Sequence, residues 1–193
     1  MNDAVEIRVL KEFSKVLDSL DIKYAIGGSI ASSVYGQVRF TQDADVMVDA
    51  FSSKTSLFYE KVSKSFYISK EAMQQAIRLK TSFNIIHLET AFKIDIFISK
   101  AGPYDRQVLL RAAKMQLGQT EQEAFFFVSS EDIILLKLLW YEQGHRVSEK
   151  QWNDILGVIM TQKQRLDLDY LKNWAKTLAI QDLLENALMQ SEH

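Results

Sequence analysis

An aspartate stands in the middle of an otherwise apolar run, Phe92-Lys93-Ile94-Asp95-Ile96-Phe97-Ile98, and it constrains the chain more than any other single residue. The run reads as a strand, where aspartate is disfavoured and a buried carboxylate without a partner is costly. Something must compensate it. A cation shared with other carboxylates on a neighbouring strand would do so, and a salt bridge to a local lysine or arginine is the alternative.

A second acidic strand is present. Asp43 to Val48 alternates carboxylate and apolar residues, so Asp43 and Asp45 project from one face while Val46 and Val48 turn into a core. Two adjacent carboxylates repel unless a cation lies between them. Magnesium favours such oxygen ligands and keeps positions open for phosphate oxygens. Taken alone, the Asp-x-Asp pair reads better as a solvated strand end. With Asp95 beside it, the set gains a third carboxylate able to accept a proton from an attacking hydroxyl.

Upstream, Tyr24 to Ile26 is a short apolar strand that stops at Gly27 and Gly28, and Ser29 opens a small-residue helix that reaches Tyr35 before Gly36 ends it. Glycines let backbone amides approach a phosphate closely, and a helix N-terminus adds amides, a positive dipole end and here a serine hydroxyl. A tight turn with no ligand is the competing reading. Arg39 and Thr41 lie in the polar loop that follows. The Arg39 fork suits a polyphosphate, and a surface salt bridge is its rival.

The remaining pattern places an amphipathic helix over Met1 to Leu20 and further helices over Ser53 to Ser65 and Ser69 to Arg78. Two strands, Phe83 to Leu88 and Phe92 to Ile98, are joined by a turn at Glu89 and Thr90. Beyond Pro103 the chain reads as helical, over Tyr104 to Met115, Glu131 to Glu142, Ser148 to Met160, Tyr170 to Thr177 and Gln181 to Met189, with one short strand at Ala124 to Val128. Ser129 or Ser130 is suited to cap the Glu131 helix and Asp169 a later one, while Gly144 suits a helix stop. The fold class is therefore α+β: a small mixed sheet flanked by helices over residues 1–102, and a helical C-terminal region over 103–193 packed on that core. Phe125, Phe126, Phe127, Trp140, Tyr141, Trp152 and Trp174 fit strand and helix cores better than a base-stacking surface. His87 and His145 lack metal-ligand spacing.

The 193 residues are 47% apolar and 25% charged, the balance of a folded globular chain long enough for one good core. A formal charge of -2 gives no global field toward nucleic acid, so such a contact would need a local basic patch. No cysteine is present, which excludes disulfides, thiolate metal sites and a cysteine nucleophile. No signal-peptide pattern or membrane-length apolar run occurs, so a cytoplasmic location and no membrane partner are expected.

Taken in order, Gly27, Gly28 and Ser29, then Arg39, Thr41, Asp43 and Asp45, then Asp95 on a later strand, resemble the DNA polymerase β-like nucleotidyltransferase superfamily over residues 23–98. The resemblance implies triphosphate binding by Gly27, Gly28 and Ser29, with Arg39 and Thr41 beside them. It makes Asp43 and Asp45 ligands of magnesium, two ions in all, with Asp95 the third carboxylate. A narrower similarity, to bacterial nucleotidyltransferases of the minimal and abortive-infection toxin type, implies that Lys137 on one helix and Asp154 on the next complete the catalytic set. An interhelical Lys137 to Asp154 ion pair explains those two residues as well, and Gln151, Trp152 and Asn153 depart from the basic residue usual in that pattern. The expected activity is transfer of a nucleoside monophosphate from a nucleoside triphosphate such as ATP to a hydroxyl acceptor, whether transfer RNA, protein or a small molecule. A toxin restrained by an antitoxin, or a silent nucleotide-binding module acting through a protein partner, is the alternative.

Overall fold

The computed structural model describes residues 5–39, 41–117 and 123–191, so the first four residues of the expected N-terminal helix lie outside the described residues. In chain order the first half contains α1 (Val5–Ser19), β1 (Tyr24–Ile26), α2 (Gly28–Tyr35), β2 (Asp43–Val48), α3 (Thr55–Val62), β3 (Phe66–Ile68), α4 (Lys70–Leu79), β4 (Ser82–His87) and β5 (Lys93–Ile98). The second half contains α5 (Pro103–Arg111), β6 (Ala113–Gln116), β7 (Ala124–Phe127), α6 (Ser130–Gln143), α7 (Glu149–Gln162), α8 (Leu168–Thr177) and α9 (Gln181–Gln190).

These elements form two compact units. One comprises residues 1–27 and 41–127, the other residues 28–40 and 128–193. The sequence reading divided the chain at residue 102; the contacts instead keep β6 and β7 with the sheet and place α2 with the C-terminal helices.

In the first unit, seven strands of the described residues make one mixed sheet in the order β3-β4-β5-β2-β1-β7-β6. The central β2 and β5 are parallel, β1 runs antiparallel to β2, and β4 antiparallel to β5. Period-two alternation gives this sheet two different faces. One is apolar: Ala44, Val46 and Val48 of β2, and Ile94, Ile96 and Ile98 of β5, are buried. The sheet side of this core continues into a ring cluster in which Phe13 of α1 meets Phe58 of α3 and Phe66 of β3 edge-on at 6.4 and 6.1 Å, and Phe58 meets Phe83 of β4 at 6.2 Å. The other face carries Asp43, Asp45, Lys93 and Asp95, all part-exposed. His87 is buried, with Nδ1 2.8 Å from the Thr90 hydroxyl, and is structural.

In the second unit, α2 packs on α6 and α7, and α8 and α9 complete the bundle. Three of these helices, α6, α7 and α8, open on a side-chain cap: Ser129 accepts from the Asp132 amide, Ser148 from Gln151, and Asp167 from Tyr170. Asp167, not Asp169, therefore caps α8, because that helix begins two residues earlier than its apolar periodicity suggests. Gly144 ends α6 as expected. Gly36 follows α2 where a Cβ would lie 2.9 Å from the backbone carbon of Gly157 and from the nitrogen of Val158, so only glycine lets the end of α2 meet α7. Among the described residues, no helix is long and apolar enough to cross a membrane.

Candidate active site

The register of the central strands decides which acidic residues meet. β2 and β5 pair with Asp43 opposite Lys93 and Asp45 opposite Asp95, so three carboxylates from distant parts of the sequence share one face of two adjacent strands. The Lys93 ammonium lies among them, 2.7 Å from Asp95 Oδ2 and 3.9 Å from Asp43 Oδ2. The hydrogen bond to Asp95 raises the Lys93 pKa against the opposing effect of partial burial, and the charges of Asp95, Asp43 and Asp45 add to the rise. Of the two compensations open to Asp95 in the sequence, the salt bridge to a local lysine is formed by Lys93, and the acidic pair that a shared cation would require lies beside it. Sequence reasoning missed Lys93, although its place two residues before Asp95 on the same strand face was the available signal.

Thr41 and Gly27 shape this acidic face. The Thr41 hydroxyl donates to Asp43 Oδ1 at 2.7 Å, which makes it an orienting partner of that carboxylate. The Gly27 amide donates to the Asp45 carbonyl at 2.8 Å, extending the β1 to β2 ladder by one step. That amide is consequently engaged within the sheet, and the donors remaining to the glycine turn begin at Gly28. Gly28 has a φ of 57°, in the left-handed region, where an L side chain would be strained. Gly28 and Ser29 open α2 in the second unit, where its first-turn amides have no intrahelical acceptor.

The second unit holds the other candidates in one network. Arg39 grips Asp154 with its fork, Nε to Oδ1 at 3.0 Å and Nη2 to Oδ2 at 3.0 Å, and Nη2 also donates to the Ser29 hydroxyl. Lys137, only 1% exposed, donates to Asp154 Oδ2 and to Gln151 Oε1, each at 2.9 Å. Burial alone would push the Asp154 carboxyl up, but hydrogen bonds from Arg39 and Lys137, with their charges, outweigh it and bring the pKa below its ordinary value. The Lys137 to Asp154 ion pair expected from the sequence is therefore formed, and Arg39 takes the salt-bridge option. Gln151, which the sequence showed only as a departure from a pattern, is the group that shares the buried ammonium. Nearby, burial and then the Glu131 and Asp132 charges push the Tyr35 phenol up to about 12.

The residues singled out in the sequence thus fall into two sets: Gly27, Thr41, Asp43, Asp45 and Asp95 on the sheet, and Gly28, Ser29, Arg39, Lys137 and Asp154 in the helical unit. Among the described residues, no group of three His, Cys, Asp or Glu side chains stands close enough together to hold a metal ion by itself. The donors are of the oxygen type that magnesium takes, three carboxylates on adjacent positions of one sheet face, and in this structure the Lys93 ammonium lies against two of them.

No protein-family model matches the chain, and no curated protein matches it. Solved structures do. An antigenic nucleotidyltransferase-like protein from Paracoccidioides brasiliensis superposes with a TM-score of 0.54 at 20% identity, over 95% of this chain and 91% of that one. ANT(2")-Ia in complex with adenylyl-2"-tobramycin gives a TM-score of 0.61 at 11% identity, over 91% of this chain and 98% of its own. The lincomycin-bound lincosamide antibiotic adenylyltransferase LnuA gives 0.52 at 13% identity, over 82% and 98%. At these identities the likeness is one of architecture: the chain shares the mixed-sheet fold of these solved structures.

Proposed function

We propose that the chain is a magnesium-dependent nucleotidyltransferase that moves a nucleoside monophosphate from a nucleoside triphosphate to a hydroxyl of a small molecule. The observation that carries this reading is the register that sets Asp45 directly opposite Asp95, with Asp43 one step along the same face. Magnesium, when bound, would supply charge neutralisation for the phosphates. Asp43 and Asp45 would hold it, with Thr41 fixing the Asp43 carboxylate. Asp95 takes the proton of the acceptor hydroxyl as its oxygen bonds to the α-phosphorus. The bond from that phosphorus to the β-phosphate oxygen breaks, and pyrophosphate leaves with the electron pair. Gly28 and Ser29 are assigned to the triphosphate through their amides. The small-molecule acceptor is supported by the neighbours, of which one is bound to an adenylylated aminoglycoside and another to lincomycin.

The reading is tested by incubating the protein with magnesium and labelled triphosphates against tobramycin, lincomycin, bulk transfer RNA and a protein extract. Wild type should label a small-molecule acceptor, and Asp45→Ala should lower transfer by at least a thousandfold, an order of magnitude in line with loss of metal-based charge stabilisation. Undiminished transfer by Asp45→Ala would sink the scheme.

One observation favours a second reading. The Lys93 ammonium lies against Asp95 and Asp43, as a built-in cation would in a silent nucleotide-binding module. A rise in melting temperature with triphosphate, without product from any acceptor, would select that reading.

A further inference from the structure

The same sheet face continues past the carboxylates toward β3, and its two rows of side chains follow from register. In one row, Gly27 bonds to Asp45, Asp45 stands opposite Asp95, and Asp95 opposite Asn84 of β4. In the next, Asp43 stands opposite Lys93, Lys93 opposite Ile86, and Ile86 opposite Tyr67 of β3. Directly paired residues point to the same side of a sheet, so Asn84, Ile86 and Tyr67 share the acidic face. Asn84 is exposed and Tyr67 is 61% exposed, although the sheet positions on either side of each, Phe83, Ile85, Phe66 and Ile68, are buried.

Phosphoryl transfer places the attacking oxygen and the leaving oxygen on opposite sides of phosphorus. Gly27 lies on the β1 side of the carboxylates and leads into the turn assigned above to the triphosphate, and on that assignment the leaving pyrophosphate departs on the β1 side. The attacking hydroxyl must then come from the β4 side. We propose that Asn84, Ile86 and Tyr67 form the acceptor subsite, with Asn84 orienting the hydroxyl toward Asp95 and the Tyr67 ring carrying a hydroxylated ring of the acceptor. This rests on the nucleotidyltransferase reading above and names the substrate class for it.

The dimensions select that class. Strands are spaced by about 4.8 Å, so Asn84 lies one step and Tyr67 about two steps, roughly 10 Å, from β5. β3 is the end of the sheet, and the platform stops there. It accommodates one or two rings. The carboxamide of Asn84 can both donate to and accept from a polyol, and an exposed aromatic face suits the apolar side of a sugar-like ring.

Asn84→Ala, Tyr67→Ala and Tyr67→Phe are compared with wild type in the transfer assay above, with the KM of the acceptor and of the triphosphate measured separately. Because both side chains are exposed, melting temperatures should stay within about 2 °C of wild type. The expected result is a rise of tenfold or more in acceptor KM for the two alanine variants, near-wild-type behaviour for Tyr67→Phe, and a triphosphate KM within twofold throughout. Unchanged acceptor KM, or an equal loss of triphosphate binding, would overturn the subsite while leaving nucleotidyl transfer standing. Transfer confined to RNA or protein would overturn it in the same way. A wild-type protein that labels none of the four acceptors would remove the nucleotidyltransferase reading itself, and the subsite with it.

Discussion

Two cations, Arg39 and Lys137, meet one carboxylate at Asp154 in a largely buried setting. Removing the carboxylate charge takes an ion-pair partner from the buried Lys137 and from Arg39 together, so Asp154→Asn should cost about 3 kcal/mol near neutral pH. The folded-state pKa of Asp154 lies below its ordinary 3.8, so the stabilisation is present above that value and is lost as pH falls through the lower, folded value. Urea melts of the two proteins should therefore show a constant gap from pH 7 to about pH 5 that closes below about pH 4. A gap that widened on acidification would contradict the direction assigned to this carboxyl. Lys93 poses the opposite problem on the sheet. A divalent ion held by the carboxylates as proposed would meet its ammonium, and unit charges about 4 Å apart interact by roughly 1 kcal/mol in water-like surroundings and more in less polar ones. Lys93→Met should accordingly tighten magnesium binding by about tenfold, as read by calorimetric titration without nucleotide. Weaker binding in that variant would mean that Lys93 organises the carboxylates more than it competes for them.

The glycines beside α2 show how an element is held at its two ends by different physics. At Gly28 the constraint is the left-handed backbone angle, and alanine should cost about 1 kcal/mol. At Gly36 the constraint is contact with the backbone at Gly157 and Val158, which cannot move aside as a side-chain tip can, so Gly36→Ala should cost about 3 kcal/mol. Equilibrium urea unfolding of the pair should rank them in that order, and the reverse order would mean that α2 and α7 do not approach so closely. Elements of this kind were legible where their periodicity was long or their punctuation strong. The alternation from Asp43 to Val48 defines β2 residue for residue, and the Gly27-Gly28 break separates β1 from α2. β3 and β6 were not legible. Phe66 to Ile68 is too short to show alternation, and Ala113 to Gln116 is mostly exposed, continues the helical composition of α5 and becomes a strand only by pairing with β7. The site divided likewise: the acidic residues stood out because carboxylates are rare in apolar strands, whereas the pairing of Asp45 with Asp95 and the partners Lys93 and Gln151 depend on register and helix docking, which one sequence does not carry.

At the scale of the whole chain, the path passes between the two units after Gly27, after Phe40 and after Phe127, so the helical unit is assembled from a short early segment and a long late one. The early segment contributes α2, only eight residues long, which is too short to hold a helix by itself in water. It forms because Ile30, Ala31 and Ser32 are buried against α6 and α7. The dependence is mutual. Without residues 28–40, the C-terminal helices would lose the cover on those apolar positions, the Gly36 contact at Gly157 and the Arg39 fork on Asp154, leaving the Lys137 pair short of a partner. Residues 128–193 expressed alone should therefore show reduced helicity and a broad thermal transition by circular dichroism, whereas addition of a peptide of residues 28–40 should restore helicity and sharpen the melt. A peptide with Arg39→Ala should restore less, since it supplies the apolar cover but leaves one side of Asp154 unanswered. If residues 128–193 melted cooperatively at the same temperature with and without the peptide, α2 would be a passenger on the bundle, and the division of this unit across the sequence would have no energetic content.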